Sequence, residues 1–337
     1  MNKKIRKLRG NVLAVLICVL PLTACSAPSV FAASFTLRVD HGHAETHVTH
    51  IALVRWADKV RERTNGDVDI TVYTNFQLGA PDDLLDQIRQ GSNVGYLTDP
   101  ARLATFVKDV GVLNGPYVLD NYDQALKLAK SDLIKGWEDR LRTGHNIEVL
   151  SWNYGQGFRS VFSNKLAKNP SDFRGVLIRV AESPVWNELG KSLGAVPVPV
   201  AYGETYSAIQ THIVDGCEQN IGSVYASKIY EVTKYFIETK HCFAVNFMAV
   251  SHAWFAKLPA EYQQIMKEES HAAGIWYANK LSQDETGYIQ EMIDGGIDYI
   301  PFTEIDVDAF HQNAREFFKV LDLEKTLQQV QEVLAGK

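Results

Sequence analysis

The sequence predicts an α/β fold, and three observations carry that reading. From Asp172 to Asn220 the chain runs strand, helix, strand, helix in under fifty residues, an α/β crossover unit. On both sides of that stretch, short alternating or apolar runs interleave with stretches of helical period. Removal of an N-terminal leader from the 337 residues leaves about 310, enough for two domains.

Residues 1–33 read as a targeting leader and tether. Lys3, Lys4, Arg6, Lys7 and Arg9 form a basic start, and Val12 to Leu20 is an apolar run too short to span a bilayer. Leu22-Thr23-Ala24-Cys25 is lipobox-like and predicts lipidation at Cys25. Ordinary cleavage near Ala32-Ala33 is the alternative. Either route takes the protein out of the cytoplasm.

Phe35 to Val39 reads as a first strand. Thr46 to Thr64 reads as an amphipathic helix stopped by Asn65-Gly66. Val68 to Tyr73 alternates as a strand. Pro81 opens a helix ended by Gly91, and Val94 to Leu97 is a short strand. Gly111 to Leu119 reads as a loop, and helices follow over Asp123–Ser131 and Leu133–Thr143. Ile147–Trp152 and Arg159–Phe162 read as strands. After Asn220 come a strand at Phe243–Val250 and a helix from Pro259 to Met292 with no interior proline. A short strand at Asp298–Pro301 and helices over Val307–Leu334 finish the chain. No linker or repeat interrupts it, so two lobes would interleave, with the chain crossing between them more than once.

Composition narrows the function. The net charge is −6, and no basic block follows the leader, which argues against a nucleic-acid partner. Beyond Cys18 and Cys25 only Cys217 and Cys242 remain; a disulfide and two free thiols are both open. No hydrolase elbow, phosphate loop, dinucleotide fingerprint or zinc-protease motif occurs, so no catalytic residue is assigned and no cofactor is expected.

Within the crossover unit, Arg179 interrupts the apolar run Val176–Val180. An arginine at such a strand end faces the crevice where α/β sheets hold ligands. Its planar fork matches a carboxylate at two points. From spacing alone, a plain surface arginine is equally open. The second helix is read as closing at Val214-Asp215-Gly216, with Gly216 as its terminator and Asp215 making local hydrogen bonds.

The unit closely resembles the DctP family, the extracytoplasmic substrate-binding subunits of tripartite ATP-independent periplasmic (TRAP) transporters. The matching residues are Phe173-Arg174-Gly175, Ile178-Arg179-Val180, Gly194-Ala195 before Pro197-Val198-Pro199, Gly203-Glu204-Thr205-Tyr206 and Val214-Asp215-Gly216. The likeness extends to Gln77-Leu78-Gly79, Gly157-Phe158-Arg159 and Phe162-Ser163-Asn164-Lys165. It implies a two-lobed, periplasmic-binding-protein-like fold with a ligand cleft between lobes and a long helix spanning both. Lobe I would be residues 34–156 plus about 245–284, and lobe II 157–244 plus about 285–337.

The resemblance also assigns site residues. Arg179 would make the two-point contact with a ligand carboxylate, and Arg159 would lie close to the same group, a structural salt bridge being its alternative. Where the family carries a contacting Asn, this chain has Gln219, and Asn220 beside it could take over the contact. Trp186 and Trp152 could each supply a flat wall for a sugar or aromatic ligand, or simply pack in the core. In the segment from His41 to His50, the spacing of His43, His47 and His50 with Glu45 would suit a divalent metal. The family places a ligand-facing loop there, so Glu45 and His47 are expected on the ligand and no metal is expected.

The function implied is capture of an organic-acid anion, with a sugar acid favoured over a short dicarboxylate, and its delivery to TRAP membrane subunits by a monomeric receptor without ATP. A ligand-sensing module for a membrane kinase and an extracytoplasmic enzyme on carbohydrate acids are the alternatives.

Overall fold

The computed structural model describes residues 33–336; the leader and Cys25 lie outside them. Among the described residues nine strands form one mixed sheet: β1 (Phe35–Asp40), β2 (Val68–Tyr73), β3 (Val94–Thr98), β4 (Ile147–Ser163), β5 (Leu177–Val180), β6 (Val196–Pro199), β7 (Gly216–Asn220), β8 (Tyr235–Ser251) and β9 (Asp298–Ile300). The order is β2-β1-β3-β8-β4-β7-β5-β6, with β9 also on β8.

The two 17-residue strands organise everything else. β4 and β8 pair antiparallel from Ile147↔Ser251 to Ser163↔Tyr235. At one end, the parallel set β2-β1-β3 joins this ribbon through β3 and Phe247–Val250 of β8. At the other, the parallel set β6-β5-β7 joins through β7 and Arg159–Ser163 of β4. Two α/β units thus hang on one ribbon. The ribbon's middle carries four register shifts between Val149 and Val161. Gly157 there has φ +77°, a left-handed conformation that costs glycine little. Bulges of this kind break the period of two, which is why the sequence shows each long strand only in fragments.

The 35-residue helix Ala260–Asp294 spans both units, as expected. Its Ile265, Met266, Tyr277 and Leu281 pack in the core with Leu37, Leu53 and Trp56. Its Met292 packs in another, with Phe162, Ile209 and Phe236. The terminal helix Glu324–Leu334 departs from the expected lobe division. It returns to the first unit, where Lys127 Nζ donates to Leu334 O at 2.8 Å and Thr326 Oγ1 to Asp109 Oδ1 at 2.8 Å.

The reading of Gly216 is also corrected. The helix before it ends at Gln210, and Gly216 opens β7. A methyl group there would lie 2.1 Å from Phe162 O, so glycine is needed for β7 to approach β4. Asp215, expected to bond locally, instead reaches the start of β5, its Oδ2 accepting from Leu177 N at 2.9 Å across 38 residues of sequence. Gly111 to Asn114, the first part of the expected loop, belong to a 3-10 helix over Lys108–Asn114. Cys217 and Cys242 are free and buried on β7 and β8, with β4 running between them. Burial pushes both thiols up to about 12.

Candidate ligand site

The carboxyl ends of β1, β3, β5 and β7 converge on a cavity of about 290 Å³, the position at which α/β sheets bind ligands. Arg179, Arg159, Gln219, Asn220 and Trp186 all line it. Register explains the convergence. Arg179 on β5 sits beside Cys217 of β7, and on β4 Arg159 pairs with Asn220 and Ser160 with Gln219.

The two arginines are held differently. Arg159 is 5% exposed and grips Glu218 in a bidentate pair: Nε to Oε2 at 2.5 Å and Nη2 to Oε1 at 2.7 Å. Its Nη2 also donates to Glu218 O at 3.0 Å and its Nη1 to Gln219 Oε1 at 2.7 Å. Its guanidinium lies over the Trp186 ring, 4.3 Å from the centre. Arg179, 3% exposed, has a single protein acceptor among the described residues: Nε donates to Val200 O at 2.9 Å. Burial disfavours both charges. At Arg159 the Glu218 carboxylate reverses that effect, and at Arg179 burial wins and lowers the pKa.

Glu218 is fully buried, which alone would raise its pKa. The charge of Arg159 and the hydrogen bonds from His241 and Arg159 outweigh burial and hold it down to about 2. His241, whose pKa burial lowers against the opposing pull of Glu218, presents Nε2 to Glu218 at 3.4 Å while Nδ1 pairs with Thr239 Oγ1 at 2.8 Å. Gln219 Oε1 takes donors from Arg159, from Asn220 N at 3.0 Å and from Asn220 Nδ2 at 3.1 Å. That fixes the amide's orientation, and its two N–H donors have no protein acceptor among the described residues. Asn220 Oδ1 caps the helix Ile221–Ala226 through Ser223 N at 2.8 Å.

Trp186 lines the cavity and donates from Nε1 to Asp99 Oδ1 at 3.2 Å. Trp152 packs in the core and bonds Glu138. In the first loop, His41 and His43 reach the cavity. Glu45 is exposed and His47 is buried, and both lie outside its lining. His47 instead caps the helix Val48–Arg63, its Nδ1 accepting from Thr49 N at 3.1 Å. The helix starts only at Val48, so the spacing of His43 and His47 does not place them on one helical face. Their rings stack at 3.9 Å. Burial lowers His41 to about 3 and His47 to about 4, and pushes His43 well down. No three His, Cys, Asp or Glu side chains are grouped to hold a metal ion among the described residues.

Sequence reasoning missed Glu218 as the partner of Arg159, and also Asp99, Tyr202 and Ser223 in the site. The Gln77-Leu78-Gly79 element serves the loop from a distance: Leu78 N donates to Asp40 Oδ2 at 2.6 Å, and Asp40 Oδ1 accepts from His41 N at 2.7 Å.

Comparison with known proteins bears on what this cavity is for. The sequence model of bacterial extracellular solute-binding protein family 7 matches residues 39–323. The 2,3-diketo-L-gulonate-binding periplasmic protein of Escherichia coli is 27% identical over 305 residues, 90% of each chain. A TRAP periplasmic solute-binding protein of Escherichia fergusonii, described as apo and open, is 32% identical with a TM-score of 0.79, covering 88% of this chain and 99% of that one. Another from Actinobacillus succinogenes, with bound L-galactonate, is 26% identical with a TM-score of 0.84, covering 90% and 100%. Among the described residues no helix is long and apolar enough to cross a membrane. The chain belongs to bacterial extracellular solute-binding protein family 7, the periplasmic solute receptors of TRAP transporters, and is a binding protein rather than an enzyme.

Proposed function

We propose that this protein captures a polyhydroxylated monocarboxylate, a sugar acid, closes over it, and presents the closed form to TRAP membrane subunits. One observation carries the reading. Arg179 is the only cation lining the cavity without an ionic partner among the described residues, since Arg159 pairs with Glu218 and Arg102 with Asp82 and Asp99. One uncompensated buried cation matches one anionic group on the ligand. The Gln219 amide N–H groups add donors for the same anion, and neutral His41 and His43 suit hydroxyl groups better than further charge. Relatives with sugar-acid names or ligands support the class.

Closure would move residues 34–156, about 245–284 and the terminal helix as one lobe against 157–244 with about 285–323. Trp186 and Asp99 bond across that division. The chain superposes less well on the open Escherichia fergusonii protein than on the less identical ligand-bound one, as lobe rotation would produce. A ligand held on both sides of the cleft favours the closed form, and only such differential binding shifts the equilibrium.

The test is thermal shift, calorimetry and small-angle scattering with L-galactonate, L-fuconate, 2,3-diketo-L-gulonate, succinate and galactitol. A sugar acid should raise the melting temperature and reduce the radius of gyration, and the neutral galactitol should do neither. Equal binding of galactitol, or no response to any acid, would overturn the reading. Turnover of the bound acid would restore the enzyme alternative.

A further inference from the structure

Trp186 meets the rest of the site twice, by its face and by its edge. The face lies against Arg159, whose Cζ is 4.3 Å from the ring centre. The edge carries Nε1–H, which donates to Asp99 Oδ1 at 3.2 Å. All three residues line the cavity. Asp99 follows β3, in the lobe that holds residues 34–156, whereas Trp186 and Arg159 belong to the other lobe.

Each partner in the Trp186–Asp99 bond is set by its own lobe. Asp99 Oδ1 accepts from Ala101 N at 3.0 Å and from Arg102 N at 3.3 Å, which caps the helix Pro100–Leu103, and its Oδ2 lies 3.5 Å from Arg102 Nε. These contacts orient the carboxylate without Trp186. Across the cleft, Ser183 Oγ caps the helix Pro184–Ser192 through Trp186 N at 3.2 Å. Trp186 is 3% exposed, so its indole N–H relies on a protein acceptor, and Asp99 supplies it.

The contacts continue from the indole to the donors meant for the anion. Asp99 fixes the edge of the ring, and the ring backs the guanidinium of Arg159. Arg159 Nη1 in turn donates to Gln219 Oε1 at 2.7 Å. A carboxylate in one lobe thus reaches the anion donors of the other through two side chains.

We propose that Asp99 is a positioning residue for the anion site. It acts through Trp186, and so ties the Arg159–Gln219 donor set to the opposite lobe. This rests on the proposed capture and closure and deepens that reading. A hydrogen bond to an ionised acceptor is stronger than one between neutral groups, and a bond shared between lobes acts only while they are together. It raises the fraction of molecules in the closed, binding-competent form, and apparent affinity rises with that fraction. Its loss should appear as faster release of ligand rather than slower capture.

The test uses the whole mature chain, stopped-flow kinetics and calorimetry, with L-galactonate or L-fuconate, whichever the wild-type protein binds more tightly. Trp186→Phe keeps an aromatic face for Arg159 and loses the N–H. It should release the acid about tenfold faster and capture it at a rate within about twofold of wild type, as expected for one charge-assisted hydrogen bond. Asp99→Ala should show the same loss, and the double variant no more than the larger single loss, because both changes break one bond. Asp99→Asn keeps an oxygen acceptor and a good helix cap, so its affinity should stay within about threefold of wild type. Losses that multiply in the double variant would mean that Asp99 and Trp186 act separately, and they overturn the proposal. An unchanged release rate in Trp186→Phe, or an Asp99→Asn protein as impaired as Asp99→Ala, also overturns it. In each of these cases, tight binding by the wild-type protein leaves the Arg179 reading standing. A wild-type protein that binds no acid removes both.

Discussion

Replacing each buried arginine by methionine separates a ligand-binding charge from a structural one. Arg159→Met leaves Glu218 fully buried with His241 Nε2, at 3.4 Å, as its remaining side-chain partner. Breaking a buried pair by removing one member costs about 3–5 kcal/mol. For a body of about 300 residues, an unfolding entropy of about 2.1 cal/mol/K per residue makes 1 kcal/mol worth about 1.6 °C. The ligand-free melting temperature should therefore fall by about 5–8 °C. Arg179→Met removes a buried charge whose only protein acceptor among the described residues is a backbone carbonyl. Methionine keeps much of the apolar stem and leaves no ion behind, so the ligand-free protein should melt at the wild-type temperature or above it. What disappears is the response to ligand. A wild-type protein at a hundredfold excess over Kd gains about 2.7 kcal/mol, or about 4 °C, and Arg179→Met should gain almost none. Differential scanning calorimetry with and without the bound acid reads both effects. A fall of 5 °C or more in ligand-free Arg179→Met, with Arg159→Met unchanged, would reverse the assignment of the two residues.

Acid should destabilise the protein over a defined window. Burial lowers the folded-state pKa of His41 to about 3 and of His47 to about 4, and lowers His43 as well. Unfolded histidines titrate near 6.5, so below that pH the unfolded chain binds protons that the folded chain refuses. Stability is complete above about pH 6.5 and falls as pH drops towards 4, partly opposed by Asp40, Glu138 and Glu285, whose carboxyls burial raises. Melting curves from pH 7.5 to 4.5 should show the decline, with a shallower slope in His43→Phe; a flat profile contradicts it. At the N-terminus, Cys25→Ser should move the protein from the membrane to the soluble fraction. A native chain that is already soluble and begins near Ala33 would refute lipidation.

What the sequence made legible was whatever a local pattern encodes. The helical stretch read from Pro259 to Met292, with no interior proline, is the one long helix Ala260–Asp294, and an arginine inside Ile178-Arg179-Val180 marks itself by interrupting an apolar strand. The hidden parts depend on register and approach. Glu218 meets Arg159 across 59 residues, and only the β4–β7 pairing brings them together. Val214-Asp215-Gly216 imitates a helix end, because an apolar residue before a glycine is also how a strand tight against its neighbour begins. The histidines misled for a related reason. Spacing of three and four signals one face only inside a helix, and two of the four precede its cap at His47.

The arrangement of the two arginines gives the site its chemical logic. Glu218 and Trp186 hold Arg159 by edge and by face, and Arg159 in turn holds the oxygen of Gln219. Three donors on that oxygen leave the amide no alternative orientation, so its N–H groups are aimed before any ligand arrives. On the proposed reading Arg159 would serve the anion through Gln219, since its own charge is already paired with Glu218. Arg179 is the reverse case, a buried cation with no ionic partner among the described residues. On the proposed reading the stability lost by burying it would be recovered when an anion enters, and that difference would favour the closed form over the open one. A neutral sugar of the same shape would fill the same volume and recover nothing.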